Sequence, residues 1–270
     1  MKEITLQQAR DALLAACPAM YREVVQYLQL PPFLQPRVKA WMEERIVVLR
    51  YPRFLAGGFD ADTWTYCCLT PSDPAVEAEL DRLFAETVPV AQDERQICYP
   101  GRAPENRDSG MGALYYAAVG RNEETDSRIR VLHPESDGEL IETLVGYAAE
   151  DPGDFADIAN MLENDLGLAQ EDLREHGETP YRFLGWIEDS CPVGVVSLRA
   201  DPEGGAVICN LYVDPACRRL GVGKTLLRAA LTLEPGKDYC YSHRRENTVS
   251  GLTALAAGFV PAGQCVCLPE

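Results

Sequence analysis

The spacing of hydrophobic and polar positions along this chain changes period repeatedly, and each change marks an element. Residues 1–10 follow a polar–apolar helical pattern. Residues 5–30 read as helix with a break at Cys17-Pro18, because proline removes a donor and disfavours helix before it. Pro31-Pro32 ends that pattern. A second helical stretch over 35–45 runs into Ile46-Val-Val-Leu49, whose β-branched residues predict a strand. Gly57-Gly58 reads as a turn and residues 63–69 as a strand. Ser72 or Asp73 caps a helix over 74–86 with acids in its first turn, where the helix dipole favours them. Residues 101–110 are rich in chain breakers and form a loop, and residues 112–119 close this half as a strand.

Gly120-Arg-Asn-Glu-Glu-Thr-Asp-Ser127 is the most linker-like segment and divides the chain into 1–119 and 120–270. A strand over 129–132 follows, then a helix opened by Asp137 or Gly138 with Leu140, Ile141, Leu144, Val145 and Ala148 at helical spacing. A further helix over 155–175 carries Ile158, Met161, Leu162, Leu166 and Leu168. Residues 181–187 and 193–198 read as a hairpin around a Glu-Asp-Ser turn. An apolar run from Ile208 then passes through a proline turn and a basic, glycine-rich corner into a helix whose face is Val222, Leu226, Ala229 and Ala230. A strand over 239–243, a helix over 248–257 and a strand over 264–268 complete the order β-α-α-β-β-β-α-β-α-β.

The glycine-rich corner is the first stretch with chemistry of its own. A strand that enters a helix through glycines leaves backbone N–H groups at the helix start without partners, and the dipole adds positive potential there. Such a start is an anion site, and Arg218 and Arg219 precede it. The corner therefore points to phosphate or pyrophosphate. Gly223-Lys224-Thr225 resembles the end of a phosphate-binding P-loop, but the loop's first glycine falls at Arg218, and only 45 residues follow Thr225. A glycine pattern that merely turns the chain is the plainer alternative.

Composition narrows the class. The chain has 270 residues, 46% hydrophobic and 25% charged, which is ordinary for a globular protein. No apolar stretch approaches the ~18 residues that span a bilayer, and the N-terminus does not read as a signal peptide, so a cytoplasmic location is expected. The ten cysteines lie largely inside apolar runs, with no C-x-x-C and no Cys/His cluster of zinc spacing. Reduced thiols and no metal site are expected. The net charge of −17 is uneven, with 12 basic and 16 acidic residues in 1–120 against 13 and 26 in 121–270. That surface opposes nucleic acid and anionic membrane as partners and favours a cationic one.

Two motifs together point to a family. Arg218-x-x-Gly221-x-Gly223 is similar to the [QR]-x-x-G-x-[GA] signature of the GNAT superfamily of N-acetyltransferases. The preceding Asn210-Leu-Tyr-Val-Asp-Pro215 resembles that family's strand-to-turn sequence, and Asn247 with Gly258-Phe259 resembles its next element at the same spacing. The resemblance covers the C-terminal half. It implies an α+β fold: a GNAT-like mixed β-sheet over 120–270 with helices on both faces, preceded by a mixed α/β accessory domain over 1–119. That first domain reads equally as a degenerate second copy or as an unrelated cap or dimerisation domain, so a homodimer is one expected assembly.

The resemblance further implies acetyl-CoA as cosubstrate and transfer of its acetyl group to an amine of a small molecule or a lysine. The amides of Arg219, Leu220, Gly221, Val222, Gly223 and Lys224 would hold the pyrophosphate, with Arg218 opening the signature. Leu211, Tyr212 and Val213 would pair through backbone with the pantetheine arm, Thr225 would reach a phosphate, and Asn247 would bond the arm near the sulfur. The catalytic positions depart from the pattern. Ala254 stands where many members carry a tyrosine acid, and Ser242 where several carry a glutamate base. His243 adjoins Ser242 and titrates near neutrality in its unperturbed form, but strand alternation points the two to opposite faces. Ser242 and His243 are the candidates for proton handling, and their departures keep a noncatalytic acyl-CoA-binding or regulatory module as the alternative. Nine acids against the single base Arg174 over 151–178 suggest attraction of a cationic amine, such as a polyamine, aminoglycoside or lysine, or else a solvated helix face.

Overall fold

The computed structural model describes residues 1–26, 38–55, 58–87, 94–107, 110–151, 156–201 and 204–268. Expectations for Pro31-Pro32 and Gly57, and the end of the first helical stretch, lie outside the described residues. Contacts divide the chain into two compact units. One comprises Met1–Ala117, Ser242–Gly251 and Pro261–Glu270, and the other Ala118–Tyr241 and Leu252–Val260.

In the first unit the order is β1 (Lys2–Ile4), α1 (Leu6–Ala16), α2 (Pro18–Gln26), β2 (Lys39–Glu43), β3 (Ile46–Leu55), β4 (Gly58–Cys68), α3 (Pro74–Glu86), β5 (Glu94–Pro100) and β6 (Gly112–Val119). Thr5 opens α1 through a capping box with Gln8, so the chain's first residues form a strand and not the helix that their pattern suggested. The helix expected over 35–45 is likewise replaced, by a strand over Lys39–Glu43 and a turn at 44–45, where it is described. β2 pairs antiparallel with both β1 and β3, and Trp41 stacks on Trp64 at 5.8 Å. Cross-strand partners distant in sequence overrode a weak local preference. β5 went unread for the same reason: it lies between β4 and β12 (Val260–Cys267), the last strand of the chain. The helix over 74–86 forms as expected, with the Asp73 carboxylate accepting from the amides of Ala75 and Val76 at 2.8 and 2.9 Å. Ile46, Val48, Tyr66, Val76, Leu80, Leu83 and Val266 form its buried core. All ten cysteines are free thiols, and five of them are buried.

The second unit contains β7 (Ile129–Leu132), α4 (Gly138–Ala149), α5 (Ala156–His176), β8 (Tyr181–Glu188), β9 (Cys191–Ala200), β10 (Ala206–Val213), α6 (Val222–Ala230) and β11 (Asp238–Arg244), whose last residues belong to the first unit. The helix α7 (Thr248–Ala257) follows. Asp189 and Ser190, both at positive φ, close the β8–β9 hairpin, as a two-residue turn requires. Helices cover both faces of the sheet. Val195 packs with α4 and α5 beside Phe183 and Tyr212, whereas a Cβ on the adjacent Gly194 would stand 3.2 Å from Leu226 and 3.3 Å from Val222 of α6.

The two units repeat one plan. β1-β2-β3-β4 and β7-β8-β9-β10 are each successive antiparallel neighbours, and β4–β5 and β10–β11 are each parallel pairs. With their helices, both run β-α-α-β-β-β-α-β. The sequence shows no repeat that discloses this, because the plan depends on burial pattern and not on residue identity.

Candidate functional site

The corner between β10 and α6 is built by contacts that its sequence does not advertise. β10 carries a bulge at Cys209, between the registers of Ile208 and Asn210. Its parallel register with β11 runs from Ala206 to Ile208, while Asn210–Val213 continue along β9. Tyr212 faces α4 and α5, and Leu211 and Val213 face α6, where an added Cβ on Gly223 would stand 3.6 Å from each. At the strand exit Asp214 caps a short 3₁₀ turn, Pro215–Cys217, by accepting from the Ala216 amide at 2.8 Å.

Arg218 then folds its side chain back. Its Nε donates to the Val213 carbonyl at 3.0 Å, and its guanidinium pairs with Asp151, whose side chain is 1% exposed. Tyr212 Oη donates to the same Asp151 oxygen at 3.2 Å. The first residue of the signature therefore fixes the corner's shape, and its charge is held by a carboxylate. Arg219 at φ 64 and Gly221 at φ 86 turn the chain into α6, a conformation that costs glycine little and arginine more. Gly221 is the N-cap and offers no side-chain cap, so the first amides of α6 lack that partner. Thr225 hydroxyl donates back to the Gly221 carbonyl at 3.0 Å. Among the described residues Arg219 and Lys224 form no ion pair, and both are exposed, as is Leu220. Val222 is buried against the sheet.

The remaining candidates belong to the first unit. Ser242 hydrogen-bonds the Glu23 carboxyl, which burial raises above its ordinary range while that bond lowers it. His243 is buried and stacks on Tyr116 at 5.3 Å. Its Nδ1 lies 2.7 Å from the Arg244 carbonyl, so that nitrogen carries the proton, and Nε2 lies 3.3 Å from Tyr116 Oη. Asn247 caps α7, accepting from the Ser250 amide at 3.1 Å. Ala254 is fully buried and offers no acid. Glu23 had no signal, being one acid in an otherwise unremarked N-terminal helix. Asp151 and Asp165 were visible only as members of an acidic run. Asp165 is in fact 8% exposed, bonded to Ser197 and Asn210, so the run is not simply a solvated face.

Comparison with known proteins fits this geometry. Residues 154–247 match the model of the acetyltransferase (GNAT) family. A mycothiol acetyltransferase of Mycobacterium leprae (strain Br4923) is 29% identical over 126 residues, covering 41% of this chain, and that of strain TN matches equally. The chain spans 40% of the length of these curated relatives. Among solved structures, a GNAT-family acetyltransferase from Colwellia psychrerythraea aligns with a TM-score of 0.55 at 14% identity, over 98% of this chain and 97% of its own. A GCN5-related N-acetyltransferase from Sphaerobacter thermophilus aligns with a TM-score of 0.52 at 13% identity, over 98% and 93%. These two likenesses concern the fold, and they extend it over nearly the whole chain. Residues 154–247 thus resemble the acetyltransferase domain of the GNAT family, and the fold around them is that of GNAT-family structures.

Proposed function

We propose that the chain is an acetyl-CoA-dependent N-acetyltransferase of the cytoplasm that acylates a primary amine of a cationic small molecule or a lysine. The observation that carries this reading is the uncapped start of α6, flanked by Arg219 and Lys224. The amides from Arg219 to Lys224 would bind the pyrophosphate there, and the backbone of Leu211, Tyr212 and Val213 the pantetheine arm. In the transfer, the amine nitrogen attacks the thioester carbonyl carbon, the carbon–sulfur bond breaks, and coenzyme A leaves as thiolate. A backbone N–H on β10 would stabilise the developing oxyanion. A thiol with pKa near 8.5 leaves without an acid, which suits the aliphatic Ala254. Ser242 and His243 are proposed to handle the proton lost by the amine, and Asn247 to bond the arm. The hydroxyl of Thr225 already bonds Gly221, so a phosphate contact would require it to turn.

Cofactor is proposed to bind once per chain. The helix start that corresponds to α6 in the first unit, that of α3, is occupied by the Asp73 carboxylate, which is held in turn by Arg45 at 2.5 Å. Release of thiol from acetyl-CoA across a set of amines tests the function. The expected result is amine-dependent release, faster with cationic than neutral amines and weakened by salt, with calorimetry giving one coenzyme A per chain. Binding of coenzyme A without release by any amine would instead favour a noncatalytic acyl-CoA-binding module.

A further inference from the structure

One acid of the α5 run reaches the sheet and leaves an unanswered acceptor there. Asp165, Ser197 and Asn210 are 8%, 0% and 3% exposed. The Ser197 hydroxyl donates to Asp165 Oδ2 at 2.8 Å, and Asn210 Nδ2 donates to the same oxygen at 2.8 Å and to Ser197 Oγ at 3.2 Å. These bonds use every hydrogen the cluster owns. Asn210 Oδ1 remains buried with no partner, and Asp165 Oδ1 accepts no hydrogen bond among the described residues. Turning the amide over would bury its hydrogens unpaired, so the vacancy belongs to a donor. Burial raises the Asp165 carboxyl, while Ser197, Asn210 and the more distant Arg199 lower it.

What is missing is therefore a hydrogen-bond donor, and the carboxylate favours one with positive charge. A water molecule would answer Asn210 Oδ1 but not the charge. An ammonium answers both, through charge-assisted bonds. Asn210 is the first residue after the β10 bulge, immediately before the stretch proposed to hold the pantetheine arm, and it shares the α5 face with Tyr212. A carboxylate that holds an ammonium also keeps it protonated and hence poorly nucleophilic. The ammonium held there is then one that is not acylated.

We propose that Asp165 and Asn210 form a subsite for a second ammonium group of the acceptor, with Ser197 fixing the carboxylate, so that the substrate class is a diamine or polyamine. The assignment rests on the acetyl-transfer reading of the same unit. Its test compares 1,4-diaminobutane with 4-amino-1-butanol, which exchanges the second ammonium for a hydroxyl. The wild-type protein should prefer the diamine in kcat/KM by roughly 10–100-fold, the worth of a hydrogen bond to a charged group. Asp165→Asn should remove most of that preference and leave KM for acetyl-CoA unchanged. Equal use of the two amines by the wild type, which needs no variant, overturns the subsite, as does a preference that survives Asp165→Asn. Calorimetry with the diamine separates this from the function itself. If no amine releases thiol, the transfer reading falls, yet diamine binding that Asp165→Asn abolishes still supports the subsite. Absence of diamine binding to the wild type overturns it.

Discussion

Arg218 shows how one side chain can fix the shape of the corner between β10 and α6 from within the fold. Its guanidinium joins the end of β10 to Asp151, a carboxylate that is 1% exposed and also receives Tyr212. Removing it would leave Asp151 buried with its counter-charge gone. Because Arg218 is itself about a third exposed, Arg218→Ala should cost about 2–3 kcal/mol, below the range for fully buried pairs. Urea unfolding measures that loss. The same variant should raise KM for acetyl-CoA at least severalfold, and Lys should not replace Arg fully, since one ammonium cannot reach both acceptors in fork geometry. The signature was legible in the sequence, and the direction of this side chain was not. Asp151 lies 67 residues earlier, and only the fold brings it to the corner. Asp165 and Glu23 were hidden in the same way: an acid's burial depends on what packs over it, which spacing alone does not reveal.

At the scale of elements, α3 and α6 occupy the same place in the two repeats and begin in opposite ways. Asp73 fills the start of α3 with its own carboxylate, while Gly221 leaves that of α6 bare. The α3 amides and Arg45 hold the Asp73 carboxyl below its ordinary range. A folded value below the unfolded one means that Asp73 stabilises fully above about pH 4 and loses that contribution as pH falls through its depressed folded value. Asp73→Ala should therefore lower the thermal midpoint by a few degrees near neutral pH and bring the two proteins together in acid. It should leave coenzyme A affinity at the start of α6 unchanged, which calorimetry checks. Helices α3 and α4 were legible because their signals are local, the Asp73 cap in one and the apolar spacing of Ile141, Leu144 and Ala148 in the other. The strands β2 and β5 were not, because their identity rests on partners distant in sequence.

At the scale of the molecule, the first unit is not contiguous. It takes in Ser242–Gly251 and Pro261–Glu270, and β12 pairs with β5 from Gly263 to Cys267. A fragment of residues 1–119 lacks that strand and should show no cooperative thermal transition by circular dichroism, whereas adding a peptide of residues 258–270 should restore some. The repeated β-α-α-β-β-β-α-β plan was not legible beforehand, since residues 1–119 read equally as a degenerate copy and as an unrelated cap or dimerisation domain. No residue motif in the first unit marks the plan, and the start of α3 is capped where that of α6 is left bare. The late return of the chain also sets a clock on the protein's birth. Roughly 140 residues separate Ala117 from Pro261, and at ~5–20 residues per second their synthesis takes roughly 7–30 s. For that interval β5 emerges with an unfilled edge, so the half made first is finished last and is the half that nascent-chain chaperones would be expected to guard.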